Sequence, residues 1–135
     1  MCKCRIGYVV QDIYFFNDSL KNNLSSGRRI SYKYLNKIIE YVGMEDFVKL
    51  NGGLSMNISE SGRTLSVGQR RRLGIARALI SNPHILLFDE ILSGLDEANK
   101  KNILKLINKI MKDRIVIIIS HEKINLKGII NFEMP

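Results

Sequence analysis

Two neighbouring carboxylates follow a short apolar segment in the second half of this 135-residue chain. Asp89 and Glu90 come directly after residues 85–88, which read Ile-Leu-Leu-Phe and lie just beyond the helix-breaking Pro83. Such a run is typical of a fully buried parallel strand, and open parallel sheets bind ligands at the carboxyl ends of their strands. At that edge Asp89 could hold Mg²⁺, largely through water, while Glu90 orients and deprotonates an attacking water. The pair alone is equally compatible with a solvated strand end.

A histidine follows the next apolar segment of the chain. Residues 114–120 are rich in β-branched side chains and predict a second buried strand that ends just before His121. Between the two segments, residues 97–111 have the apolar spacing of an amphipathic helix. A strand, helix and strand of this length predict a βαβ unit with parallel strands. His121 would then lie at the same edge as Glu90, where an imidazole can donate to a phosphate oxygen, although a histidine there is more often a plain surface residue.

A Ser/Gly loop opens a basic helix upstream of these carboxylates. Residues 65–81 predict this helix, with Ser66 near its N-cap and Gly68 in its first turn. The first turn of a helix has unpaired N–H groups and a partial positive charge, so it attracts phosphate, and Gly68 would let an anion approach the backbone. The same residues also suit an ordinary serine-capped helix.

Two further polar positions lie beside predicted elements. Gln11 follows residues 6–10, which predict a short buried strand. Its amide is either a strand-end side chain without a function or a sensor of metal and water. Residues 93–96 read Ser-Gly-Leu-Asp, and predict a turn in which Asp96 caps the helix that begins at residue 97.

The rest of the pattern predicts a helical middle between α/β flanks. We expect helices over residues 31–42 and 44–50, and irregular structure over 12–30 and 54–64. A final edge strand is expected over 129–133. The whole chain, residues 1–135, is thus interpreted as one partial α/β domain. Residues of about 12–82 would form an inserted helical subdomain and residues 83–135 the parallel-sheet core.

Composition limits the possible classes of protein. The apolar runs are far shorter than the roughly 20 residues that cross a bilayer, and no signal peptide is recognisable, so we expect a soluble, intracellular chain. The net charge of +8 suits nucleic acid or an anionic membrane surface. It also suits solvated helix faces. Because the basic residues are widely spread and few aromatic residues lie among them, we favour solvated helix faces as the explanation. Cys2 and Cys4 lack a second pair of ligands for zinc and are expected to be free thiols.

Taken together, these segments resemble the nucleotide-binding domain of an ATP-binding cassette (ABC) transporter. The resemblance rests on the order of Gln11, residues 65–69 (Leu-Ser-Val-Gly-Gln), 85–90, 93–96 and His121. It implies that Gln11 is the Q-loop glutamine and that Asp96 is the D-loop aspartate. Asp89 would be the Walker B aspartate, Glu90 the catalytic glutamate and His121 the switch histidine. The signature motif would include Ser66, Gly68 and Gln69. The resemblance also implies a P-loop NTPase-like parallel-sheet fragment that binds ATP and Mg²⁺. Val67 stands where this family usually has glycine.

Two segments resemble the exporter branch of that family. Residues 58–62 (Ile-Ser-Glu-Ser-Gly) are similar to the exporter X-loop, whose glutamate, here Glu60, contacts the transmembrane domain. Residues 11–20 also resemble the exporter pattern after the Q-loop. The resemblance implies coupling of ATP hydrolysis to transport at the cytoplasmic face of the cell membrane. A transmembrane domain, contacted through the Gln11 region and Glu60, and a second nucleotide-binding domain would be partners.

The sequence departs from the family in the phosphate-binding loop, because it contains no G-x-x-x-x-G-K-[ST] motif and no Gly-Lys pair. We therefore interpret the chain as a fragment that alone neither binds ATP tightly nor hydrolyses it, and that associates with itself. Two alternatives are a non-catalytic module that offers only a signature surface and a DNA-repair type of ABC ATPase. The 53 residues between Gln11 and Leu65 show no sustained heptads, which disfavours the latter, and we expect no nucleic-acid partner.

Overall fold

The computed structural model of the chain describes residues 4–128 and 130. Within that part the elements follow in the order β1 (Ile6–Val9), β2 (Asp18–Ser19), α1 (Leu20–Ser25), α2 (Tyr32–Tyr41), α3 (Glu45–Leu50), β3 (Asn57–Ile58), α4 (Val67–Leu79), β4 (Ile85–Asp89), α5 (Glu97–Ile110) and β5 (Ile115–Ile119). Two short 3₁₀ turns lie at Gly53–Ser55 and Glu60–Gly62. Of the strand expected over residues 129–133, every position except residue 130 lies outside the described residues, and residue 130 is not assigned to a strand.

The central sheet has three parallel strands in the order β1-β4-β5. Ile85 of β4 pairs with Ile6 on one side and with Ile115 on the other, and the register continues to Asp89 and Ile119. Because α5 connects β4 to β5, the predicted βαβ unit is confirmed, and so is the α/β class. The carboxyl ends of all three strands therefore meet at one edge of the sheet.

The longer helices begin where the sequence predicts, because each has a polar cap. The Ser31 hydroxyl accepts from the Tyr34 amide at the start of α2, and Ser66 and Asp96 do the same for α4 and α5. Each helix then buries one apolar face, which in α5 consists of Ile103, Leu106, Ile107 and Ile110. Within the described residues, no helix combines the length and the apolar character needed to cross a bilayer.

A short helix and a two-stranded ribbon occupy the segments expected to be irregular. α1 has the sequence Leu-Lys-Asn-Asn-Leu-Ser, which has low helix propensity, so its stability comes from tertiary contacts. The buried Asn23 supplies several of them, since its amide donates to the carbonyls of Phe16, Asp18 and Ser19. β2 and β3 pair in antiparallel fashion beside it, with Asp18 opposite Ile58.

One face of the central sheet is covered and the other is exposed. Val9, Leu86 and Phe88 are buried in the main core, on the side where α4 contacts β1. On the opposite face, Ile6 is 63% exposed and Ile115 is 62% exposed. The burial expected for these strands is therefore found on one face of the sheet only, because the described residues supply covering elements for one side. We call the other side the open sheet face; its residues are Ile6, Tyr8, Ile85, Leu87, Ile115, Ile117 and Ile119.

Candidate functional site

Glu90 is held between the ends of two parallel strands. Its amide donates to the carbonyl of Ile119 at 2.9 Å, and its Oε1 accepts from the amide of His121 at 3.0 Å. The His121 Nε2 lies 3.4 Å from the same oxygen, and the imidazole is 97% exposed. Glu90 adopts a φ of +48°, a conformation that non-glycine residues rarely take and that often marks functional sites. The structure thus brings Glu90 and His121 to one edge, as the strand pattern predicts.

Asp89 ends β4 and is bound by a tyrosine of the neighbouring strand. The hydroxyl of Tyr8 donates to Asp89 Oδ2 at 3.0 Å, which raises the pKa of Tyr8 because the hydrogen bond and the nearby negative charge favour the protonated phenol. Sequence reasoning missed Tyr8, although a register that pairs β1 with β4 places both side chains on one face of the sheet. The hydrogen bond orients Asp89 and leaves its second oxygen, Oδ1, without a partner among the described residues.

A buried arginine joins the loops that follow β1 and β4. The guanidinium of Arg71, which is only 7% exposed, donates to the carbonyls of Gln11 and Ser93. Burial lowers the pKa of Arg71. From the sequence alone Arg71 is one of several basic residues of this helix, and nothing in the pattern indicates that its side chain points inward. Its bonds fix the backbone at Gln11, whose exposed side chain lies at the same edge of the sheet as Asp89.

The start of α4 is closed by a reciprocal capping box. The Ser66 hydroxyl accepts from the Gln69 amide at 3.2 Å, and the Gln69 Oε1 accepts from the Ser66 amide at 2.9 Å. Ser66 is exposed, so its position can still be reached by a second molecule. Gly68 is buried, and a Cβ at this position would lie 2.3 Å from the Asn99 Oδ1 of α5. Close packing against α5 is therefore a second reason for glycine, beside the expected approach of an anion.

Gly68→Ala is expected to destabilise the chain by about 1 kcal/mol, because the added methyl group displaces the Asn99 amide from its bond to Asp96, and this loss exceeds the gain in helix propensity. Urea denaturation measures the change. Val67→Ala, at the neighbouring exposed position, serves as the matched control and should change stability by less than about 0.5 kcal/mol. The double variant Gly68→Ala/Asn99→Ala should recover part of the loss. A Gly68→Ala protein as stable as wild type would contradict the packing described here.

Asp96 is tied to the same contact. Its Oδ1 accepts from the Asn99 amide at 2.8 Å and its Oδ2 from the Asn99 side chain at 2.9 Å. These bonds stabilise the ionised carboxylate and lower the pKa of Asp96. Asn99 therefore connects the N-cap of α5 to Gly68 of α4. The sequence signal for Asn99 is its position three residues after the expected cap, where a capping residue finds its partner.

Exposed aromatic side chains lie beside Glu60. The Tyr14 hydroxyl lies 3.5 Å from Glu60 Oε1, and the Tyr14 and Phe16 rings meet edge to face with centroids 5.3 Å apart. Arg77 fixes this segment, since it donates to the Tyr14 carbonyl at 2.8 Å and its guanidinium lies over the Phe15 ring. We call Tyr14, Phe16 and Glu60 the aromatic surface. It joins the segment after Gln11 to the segment before α4.

The donor set at the sheet edge suits Mg²⁺ in one specific way. The described residues contain no cluster of three or more His, Cys, Asp or Glu side chains that could enclose a metal ion. Mg²⁺, however, is usually bound through one or two carboxylates together with waters and substrate phosphates. The Asp89 carboxylate, with the Gln11 amide after the adjacent strand, fits that demand.

Cys4 is an exposed free thiol, and Cys2 lies outside the described residues.

Known proteins share this arrangement of segments. The family model described as "ABC transporter" matches residues 2–93. A Rickettsia prowazekii protein named "Putative export ATP-binding/permease protein" is 43% identical over 118 residues, which are 86% of this chain and 20% of that protein. The ATP-dependent lipid A-core flippase of Photobacterium profundum is 37% identical over 127 residues, covering 92% of this chain and 22% of the flippase. A solved structure of a bacterial Atm1-family ABC exporter with ATP bound matches with a TM-score of 0.75 and 34% identity, over 87% of this chain and 21% of that one.

These matches agree with the motifs and with the fold. The chain spans about one fifth of the length of the relatives it matches. The family match covers more than half of the chain, including Gln11, the start of α4 and both carboxylates. The solved exporter matches the fold over 87% of this chain. This chain belongs to the ABC transporter family, and its α/β fold is that of an ABC exporter nucleotide-binding domain.

Proposed function

We propose that this chain supplies the Walker B carboxylates, the switch histidine, the Q-loop and the signature motif of the ATP-hydrolysing domain of an ABC exporter. The observation that carries the proposal is Glu90, held between the ends of β4 and β5 with His121 at its carboxylate. Membership of the ABC transporter family supports the same conclusion. In the complete protein, hydrolysis would be coupled to the movement of a substrate across a membrane.

Each residue at the sheet edge has a distinct part in this proposal. Asp89 and Gln11 would hold Mg²⁺, which neutralises phosphate charge when bound. Glu90 would orient and deprotonate the attacking water, since its Oε2 has no hydrogen-bond partner among the described residues while Oε1 is engaged by His121. The exposed imidazole of His121 would donate to the terminal phosphate of ATP. Tyr8 would hold the Asp89 carboxylate in place.

The start of α4 would face a second nucleotide-binding domain. Ser66, Gly68 and Gln69 form the first turn region of a helix of 13 residues, whose positive end would meet the terminal phosphate bound by that partner. Asp96 would lie at the same interface, because Asn99 connects it to Gly68. We also propose that residues of about 12–82 act as a helical subdomain around this surface, with residues 83–135 in the sheet core.

The aromatic surface would contact the transmembrane domain. Tyr14 and Phe16 are exposed apolar side chains beside the Glu60 carboxylate, a mixture suited to receiving a short helix with an apolar face. The surface is joined by Arg77 to α4 and by the chain to Gln11. Contact there would connect the transport pathway to the hydrolytic edge. In this proposal the domain would lie at the cytoplasmic face of the membrane.

The 135-residue chain by itself should not bind ATP tightly. Its sequence contains no Gly-Lys pair, so it lacks the backbone nest and lysine that hold the β- and γ-phosphates in P-loop NTPases. Calorimetry with Mg²⁺ and ATP should give at best a millimolar Kd, about 4 kcal/mol of binding free energy. We compare the chain with a chimera. In the chimera, this chain replaces the matching segment of the ATP-binding domain of the Rickettsia prowazekii relative. The chimera should bind ATP with micromolar affinity; micromolar binding by the chain alone would contradict the proposal.

The open sheet face should make the isolated chain associate with itself. It exposes Ile115, Ile117 and Ile119 along one edge strand, and such surfaces seek apolar cover or strand pairing. Sedimentation of the wild-type chain should show dimers or larger species, and Ile117→Lys should shift them to monomer. Leu50→Lys, which changes an 85% exposed residue of α3 in the same way, is the matched control and should have no such effect. A monomeric wild-type chain would contradict this expectation.

A further inference from the structure

A basic cavity lies between α1 and α2, away from the sheet edge. Its volume is about 470 Å³, and its lining includes Lys21, Ser25, Gly27, Arg28, Arg29 and Ser31. None of these residues belongs to the candidate site or to the aromatic surface. The proposed hydrolytic function therefore leaves the cavity unexplained.

Positive charge is concentrated around this cavity. Three basic residues, Lys21, Arg28 and Arg29, line it, and its lining contains no acidic residue. The nearby Asp18 carboxylate is already bonded to the Asn22 amide at 2.9 and 3.0 Å. Within the part of the chain that the structure describes, no carboxylate lies within 4.0 Å of the charged nitrogens of Lys21, Arg28 or Arg29. Cations that share one concave site without a carboxylate repel one another, and a bound anion would relieve that repulsion.

The local structure orients two of these cations. The Lys21 ammonium lies 3.3 Å from the Tyr32 hydroxyl and 4.6 Å from the centre of its ring, so α2 holds a side chain of α1. Arg28 Nε donates to the Ser25 carbonyl at 3.1 Å, which leaves its terminal nitrogens for another acceptor. The connecting turn is tight, since Ser26 and Gly27 have φ values of +49° and +78°. It returns the two arginines toward α1.

We propose that this basic cavity binds a phosphate group, either of a soluble phosphate compound or of a lipid headgroup. Guanidinium groups match phosphate oxygens with paired, charge-assisted hydrogen bonds, and an ammonium adds a third donor. The lining also offers the hydroxyls of Ser25 and Ser31. Binding at this cavity is independent of the proposed hydrolysis, because it uses no residue of the sheet edge or of the start of α4.

The test measures binding of inorganic phosphate and of pyrophosphate to the 135-residue chain by calorimetry. Changes in the NMR chemical shifts of the amides of residues 21–32 show whether the ligand binds at the cavity. Co-sedimentation with vesicles of phosphatidic acid, compared with phosphatidylcholine vesicles, tests the lipid source. Arg28→Ala/Arg29→Ala should weaken binding by about tenfold or more. Lys101→Ala/Lys105→Ala removes the same charge from the exposed face of α5 and should change binding by less than about twofold. Circular dichroism establishes that both variants fold.

Each outcome decides the proposal. If the arginine variant loses binding to phosphate and pyrophosphate while the lysine variant keeps it, the result supports a soluble ligand. If the arginine variant loses binding only to phosphatidic acid vesicles while the lysine variant keeps it, the result supports a lipid headgroup. Equal weakening in both double variants would show general charge attraction and overturn the proposal. Absence of binding to every probe would overturn it too. A single-stranded oligonucleotide that binds the cavity far more tightly than pyrophosphate would replace it with a nucleic-acid surface.

Discussion

Glu90→Gln in the chimera is expected to reduce ATP hydrolysis by at least about 100-fold and to leave ATP binding nearly unchanged. The substitution keeps the size of the side chain and an oxygen for the His121 amide, which lies 3.0 Å from Oε1. It removes the basicity that accepts a proton from the attacking water. Steady-state ATPase assays and calorimetry on the same protein measure the two effects separately.

The control for this variant is Glu122→Gln. Glu122 is an exposed carboxylate next to His121 that pairs with Lys100 at 2.6 Å, so it tests whether any loss of negative charge near this edge lowers the rate. Its hydrolysis should remain within about twofold of wild type. If Glu90→Gln turns over ATP within a few-fold of wild type, Glu90 is not the general base.

Ser66→Arg is expected to prevent ATP-driven dimerisation of the chimera. Ser66 is exposed at the start of α4, where the proposed partner domain brings the terminal phosphate of ATP. An arginine there fills the space and breaks the capping box with Gln69. Gly68→Asp should act in the same direction, through repulsion of the phosphate by its negative charge and through overlap of its side chain with Asn99. Gel filtration with and without ATP, in the Glu90→Gln background to prevent turnover, measures the effect.

Loss of a helix cap alone must be separated from loss of the interface. Ser31→Arg provides that control, because Ser31 caps α2 in the same way and lies outside the proposed interface. It should leave ATP-driven dimerisation intact. Dimerisation of Ser66→Arg at wild-type ATP concentrations would show that the start of α4 does not face a second domain.

The sequence predicted the elements whose signals are local. Ser31, Ser66 and Asp96 cap helices as expected, because a cap needs only a polar side chain and an amide two or three residues later. Parallel pairing of β4 with β5 followed from the length of the connecting helix. Parallel pairing of these two strands is what places Glu90 and His121 at the same edge of the sheet.

Features that depend on distant contacts were missed. α1 forms because Asn23 binds three carbonyls of the preceding segment, which propensity does not reveal. Arg71 turns inward to two loops, although its neighbours in the sequence are also arginines. The exposure of one face of β5 does not follow from its own residues, because an Ile-rich strand has the same sequence whether one face or both are covered.

The edge formed by Asp89, Glu90 and His121 should hydrolyse ATP once a phosphate-binding loop is supplied. The most direct test compares Mg²⁺-dependent ATP hydrolysis by the chimera and by the 135-residue chain under the same conditions. We predict sustained hydrolysis by the chimera and none by the chain alone. A folded chimera that binds ATP with micromolar affinity and does not hydrolyse it would contradict the claim and would favour a non-catalytic module that offers only its signature surface.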